Sequence, residues 1–251
     1  MEKLEIDSLT DYKFLSGLKY SPDGSKACFV VREAELEENN YTSQLWIYNL
    51  EQDELYRLTT GERDGSFVWL DNKSILFTAN RKDNDDDKVK SETEFYRINI
   101  NGGEAEYVTS VSLSVNNFKK GNDDKIYFTG ITDLKDRDEE ELKEEKDYEV
   151  LEEIPYWANG QGFTNKQRTH LYSLDLAEKE VEQLIEGNYD IIDFDIADNK
   201  ICLNMNCFED KMSVRSDLYL YELKKDSLEQ LTEEDMSISY LQFINSEKIY
   251  F

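Results

Sequence analysis

The chain has 251 residues, 39% of them hydrophobic and 34% charged, with 29 Lys+Arg against 56 Asp+Glu and a net charge of −27. That length and apolar content can bury a core, which excludes collagen-like, mucin-like and low-complexity classes. So acidic a surface repels phosphate backbones and anionic lipid headgroups, so no nucleic acid or membrane partner is expected.

The N-terminus, MEKLEIDSLTDYKFLSG, lacks the basic-then-apolar pattern of a secretory signal. The longest early apolar stretch, Ala27 to Val31, is far short of the ~18 residues that cross a bilayer. The expected location is cytoplasmic. Next comes a turn with a lysine and an apolar run, which recurs along the chain as PDGSKACFVV (22–31), DNKSILF (71–77), DDKIYF (123–128), DNKICL (198–203) and SEKIYF (246–251). Its lysines, Lys26, Lys73, Lys125, Lys200 and Lys248, lie 47, 52, 75 and 48 residues apart. Three of these intervals are near the ~40–50 residues of a propeller blade, and the long one holds an insertion. A second element alternates with the first: LWIYNL (45–50), FYRINI (95–100), LYSLDL (171–176) and LYLYEL (218–223). Thirteen positions after the first residue of each stands an apolar residue, in the pairs Leu58-Thr59, Val108-Thr109, Leu184-Ile185 and Leu231-Thr232.

Each unit reads as four strands; in the second they fall at 65–70, 74–79, 94–100 and 106–109. One such sheet cannot bury both faces alone, whereas a radial array can. The expected fold is therefore all-β, a β-propeller with four-stranded antiparallel blades. About four blades are complete, at roughly 14–60, 64–110, 111–186 with an insertion at 131–167, and 188–233. Part of a fifth follows at 238–251. Because the chain stops inside an apolar strand, it reads as a piece of a larger ring, which the resemblance described below makes seven- or eight-bladed, the alternative being a closed five-bladed one.

In the second unit, Asp83, Asp85, Asp87 and Glu94 take EF-hand positions, but Lys88 stands where that loop needs glycine, so the run reads as a solvated loop and no metal site is expected. The first half of the insertion, 133–149, is a helix former with a solvated face. Its second half groups Tyr156, Trp157 and Phe163 around glycines, as in a loop that packs on the sheet or lines an opening. Glu152-Glu153 precede this loop; two clustered carboxylates can hold a peptide ammonium, or form an acidic pair at a strand edge. His170, the single histidine, reads as a strand-edge residue with a hydrogen-bond partner. Cys28, Cys202 and Cys207 have apolar neighbours and no C-x-x-C spacing, and read as buried thiols. There is no G-x-S-x-G elbow, P-loop or H-E-x-x-H, so no catalytic residue and no cofactor is expected.

YKFLSGLKYSPDGSKACFVV with the following LWIYNL, and IPYWANGQGFTNKQRTHLYSLDL with EQLIEGNYDIIDF, resemble the N-terminal β-propeller of the prolyl oligopeptidase superfamily of serine peptidases. The likeness is to its acylaminoacyl peptidase and dipeptidyl aminopeptidase branch and runs from about Leu9 to Phe251. It implies a non-catalytic propeller that gates the access of short peptides to a C-terminal α/β-hydrolase domain, which is then the principal partner. Nothing here matches that domain. Glu152, Glu153, Tyr156 and Trp157 are the candidate substrate-binding residues, and self-association is left open. A stand-alone TolB-like propeller serving as a protein interaction scaffold is the alternative.

Overall fold

The computed structural model describes residues 6–79, 92–135, 140, 148, 150–159, 162–208, 211–213, 215–232 and 237–251. The acidic run at 83–87 and most of the expected helix at 133–149 lie outside the described residues. A 3-10 turn, Ile6–Asp11, leads into the first sheet, β1 (Lys13–Tyr20), β2 (Lys26–Glu35), β3 (Asn40–Asn49) and β4 (Glu54–Arg57). The second sheet holds β5 (Asp64–Asp71), β6 (Ser74–Ala79), β7 (Thr93–Asn99) and β8 (Glu106–Val111). The third is built from β9 (Val115–Lys120) and β10 (Lys125–Asp133), then, after a small hairpin of β11 (Trp157–Ala158) and β12 (Gly162–Phe163), from β13 (Gln167–Asp175) and β14 (Val181–Gln183). The fourth comprises β15 (Tyr189–Ala197), β16 (Lys200–Cys207), β17 (Asp217–Glu222) and β18 (Ser227–Gln230), and β19 (Gln242–Asn245) pairs with β20 (Lys248–Tyr250).

Every four-stranded sheet is a meander in which sequential strands pair antiparallel. The fold is thus all-β, a β-propeller of four-stranded blades. The described residues separate into two compact units, one up to residue 112 with the first two sheets and one from 113 with the rest. The insertion is shorter than 131–167, because β10 continues through Asp133 and β13 begins at Gln167 in unbroken register.

The repeats have a local cause. At the hairpin between first and second strands, a side-chain oxygen accepts a backbone N–H two residues on: Asp23 from Ser25, Asp71 from Lys73, Asp123 from Lys125 and Asn245 from Glu247, at 2.7–3.3 Å. Asp and Asn recur there because they close the turn with their own side chain. The thirteen-residue spacing closes the third strand on the fourth: the N–H groups of Leu58, Leu184 and Leu231 donate to the carbonyls of Leu45, Leu171 and Leu218 at 2.8, 2.9 and 2.7 Å. Threonine follows leucine in the first and fourth sheets because its hydroxyl takes the remaining donor, Leu45 N–H to Thr59 Oγ1 and Leu218 N–H to Thr232 Oγ1, each at 3.0 Å.

Thr59 is only 2% exposed, so no water can replace its hydroxyl. Thr59→Val keeps the shape, strands the Leu45 N–H, and is expected to cost about 1–3 kcal/mol. A fall in urea midpoint with unchanged m-value measures it.

Within each unit the core lies between consecutive sheets. In the first unit Cys28, Val30, Leu45 and Ile47 pack on Phe67, Trp69, Ile75 and Phe77. Lys19 Nζ donates to Phe67 O at 2.8 Å, and Trp69 Nε1 donates to Lys19 O at 3.1 Å. In the second unit Tyr127 and Leu171 meet Phe194, Ile201 and Leu203, while Cys202 and Leu218 meet Ile238 and Leu241. Polar straps at the sheet edge join β9 to β15, Asn117 to Asp193 at 3.2 Å and Lys119 to Asp195 at 2.7 Å. One expectation fails: Cys28 and Cys202 are buried, but Cys207, the last residue of β16, is exposed.

Candidate functional site

β10 and β13 pair from Lys125 opposite Asp175 to Asp133 opposite Gln167, so the insertion leaves and re-enters the sheet at one end. The returning segment carries the β11–β12 hairpin, with Trp157 opposite Phe163 and Ala158 opposite Gly162. Gly162 takes φ +79°, a left-handed conformation open to glycine at little cost. Thr164 N–H donates to Tyr156 O at 2.8 Å and closes the base of the hairpin. Tyr156, Trp157 and Phe163 are 44%, 53% and 53% exposed, so the aromatic loop displays its rings instead of packing them on the sheet.

Beneath the hairpin is a buried ion pair. Arg168 Nη1 and Nη2 donate to Glu153 Oε1 and Oε2 at 2.9 and 2.6 Å, with both side chains at most 3% exposed. Arg168 Nε donates to Asn188 Oδ1 at 2.8 Å, and the guanidinium stacks 3.6 Å from the centre of the Phe208 ring. Burial pushes the Glu153 carboxyl up, but hydrogen bonds from Arg168 and the Lys166 N–H, with the charges of both residues, outweigh it and hold the carboxyl below its usual value. Next to it, Asn165 Nδ2 donates to Val150 O at 2.6 Å and Asn165 Oδ1 accepts from Glu152 N–H at 3.0 Å. The insertion is thereby pinned to the start of β13 by paired charge, which a buried carboxylate requires.

The two glutamates consequently face different surroundings. Glu153 points inward with both oxygens taken by Arg168, whereas the Glu152 side chain is 56% exposed with Lys166 Nζ 3.8 Å away. Tyr156 and Trp157 lie on the exposed hairpin beyond them. A cleft of about 240 Å³ opens at the hairpin base, lined by Pro155, Ala158, Thr164, Arg168, Asp190 and Met212 among others. Asp190 accepts the Thr169 N–H at 2.7 Å, and burial raises its carboxyl pKa against the opposing pull of that bond and of Arg168. Arg168, Asn188, Asp190 and Phe208 are not evident as site residues in the sequence; the one visible signal is a charged Arg168 at the start of an apolar strand.

His170 is not an edge residue. It is 1% exposed on β13, an interior strand of its sheet. Its Nε2 donates to Gly187 O at 2.9 Å and its Nδ1 accepts from Gln183 Nε2 at 3.0 Å. Burial lowers its pKa despite the Gly187 acceptor. With both ring nitrogens engaged, the imidazole has no free position from which to act as a base.

Residues 137–251 match the family described as the acylaminoacyl-peptidase N-terminal β-propeller domain. An uncharacterized peptidase, YuxL, of Bacillus subtilis (strain 168) is 24% identical over 197 residues, which are 76% of this chain and 29% of that protein. The acylaminoacyl peptidase of Pyrococcus horikoshii superposes with a TM-score of 0.68 at 18% identity, over 91% of this chain and 34% of that one. TolB of Acinetobacter baumannii superposes with a TM-score of 0.54 at 15% identity, over 90% of this chain and 45% of that one. The chain thus spans about a third of the length of the peptidases it resembles.

Proposed function

We propose that this chain, whose residues 137–251 match the acylaminoacyl-peptidase N-terminal propeller family, is the non-catalytic propeller portion of a cytoplasmic serine peptidase. In this reading an α/β-hydrolase domain of the same polypeptide supplies the nucleophile, base and oxyanion site, and the propeller admits short peptides to it. The observation that supports it most is the family match across the stretch that holds the exposed aromatic hairpin. A rigid blade bearing rings that face outward can contact an apolar peptide end while excluding bulk water and folded protein. Tyr156 and Trp157 would supply that aromatic contact, and the exposed carboxylate of Glu152 would take a peptide ammonium. Glu153 would act as a positioning residue, holding the hairpin base through Arg168. A TolB-like scaffold is the weaker reading, with a TM-score of 0.54 against 0.68 for the peptidase.

Labelling with a fluorophosphonate probe tests the proposal. The native gene product is expected to react at a serine outside residues 1–251, and these 251 residues alone are not. A native product that resists the probe, or labelling within this chain, would overturn it.

A further inference from the structure

In the first unit four residues form one row across the sheet. Phe14 on β1 pairs with Arg32 on β2, and Arg32 with Ser43 on β3. Beyond β3, Ser43 is bridged to Arg63, a contact fixed by the Ser43 N–H donating to Glu62 O at 2.7 Å. Directly paired residues share a face, and strands lie ~4.8 Å apart, so Arg32, Ser43 and Arg63 stand in one row on that face. These four residues and Tyr41 line a cleft of about 550 Å³. Phe14 and Tyr41 are 41% and 59% exposed and form its apolar wall.

The same row recurs in the second unit with different chemistry. Counted from the repeat lysines and leucines, Arg32 corresponds to Ile131, Tyr41 to Gln167 and Ser43 to Thr169. Ile131 pairs with Thr169, whose N–H donates to the Asp190 carboxylate, and by the same count Arg63 corresponds to Tyr189. The second unit's own arginine, Arg168, corresponds by that count to Thr42, outside the row, and is paired with Glu153. In the first unit, by contrast, neither Arg32 nor Arg63 has a carboxylate partner among the described residues. Two arginines with no ion-pair partner among the described residues thus line one cleft, in a chain that carries 56 acidic side chains.

We propose that this cleft is a binding site for a small carboxylate borne on an aromatic or apolar group, held by Arg32, Arg63 and Ser43 with its apolar part against Phe14 and Tyr41. Two guanidinium forks match the planar, two-oxygen geometry of a carboxylate. A net charge of −27 disfavours polyanions such as nucleic acid and leaves a compact monoanion as the ligand the local field can hold. The inference concerns the first unit alone and does not depend on a hydrolase domain.

Titration of the full chain with N-acetyl-L-phenylalanine and with its carboxamide, by calorimetry or ligand-observed NMR, tests it. The acid is expected to bind at least tenfold more tightly than the amide and to weaken as salt rises. Arg32→Gln and Arg63→Gln should each reduce its affinity at least tenfold. Arg63→Lys, which keeps charge and loses the fork, should fall between. Equal binding of acid and amide, which needs no variant to fold, would overturn the proposal. So would unchanged affinity in the doubly substituted chain, or displacement by equimolar inorganic phosphate.

Discussion

Glu153→Gln is expected to destabilise the second unit by about 3–5 kcal/mol, because it leaves the Arg168 guanidinium buried without its counter-charge. Arg168 is 1% exposed and stacked on Phe208, so it cannot swing to water to recover hydration. Glu152→Gln, one residue away but exposed, should change stability by no more than about 0.5 kcal/mol. Replacing both partners together, Glu153→Leu with Arg168→Met, should recover much of the loss, since no charge remains to be desolvated. Denaturant midpoints of the four chains measure these differences. The pH dependence has a definite sign: folding lowers the Glu153 pKa from an ordinary 4.5, so its contribution is present in full above that pH and is lost as pH falls through the depressed value. Glu153→Gln should therefore flatten the acid limb of the stability profile. Equal midpoints for the Glu152 and Glu153 variants would mean that the hairpin base is not held by this pair.

What the sequence made legible was whatever the backbone repeats. The thirteen-residue spacing could be counted because it is the closure of a strand on its neighbour, from Leu58 N–H to Leu45 O and from Leu231 N–H to Leu218 O. The turn Asp and Asn residues could be read because each serves its own backbone two residues away. Local bonds leave local patterns. The candidate site rests on long-range pairing instead. Nothing near Glu153 announces that Arg168, across the hairpin, will take both its oxygens, or that Phe208, just past the end of β16, will cover the guanidinium. Adjacent glutamates in sequence look like one acidic pair, yet the chain turns one inward and leaves the other in solvent. His170 differs from expectation for a related reason: its place at the start of a strand suggests an edge, whereas burial depends on which strands flank it.

If the propeller admits substrates to a hydrolase, selection by size should be the largest functional effect in the protein. The hairpin offers exposed Tyr156, Trp157 and Phe163 on a base fixed by the Glu153–Arg168 pair, an arrangement suited to contacting one peptide end and ill suited to accommodating a long chain. With the full polypeptide, kcat/KM for an N-acylated or free dipeptide chromogen should exceed that for the same scissile sequence in a 30-residue unstructured peptide by about a hundredfold, ~2.7 kcal/mol in transition-state terms. Trp157→Ala should narrow that ratio without altering the fold, because the ring is 53% exposed. The ratio of these two specificity constants is the most direct measurement of the proposed role: a strong preference for the short substrate that narrows in Trp157→Ala supports it, and equal cleavage of both by the unmodified protein contradicts it.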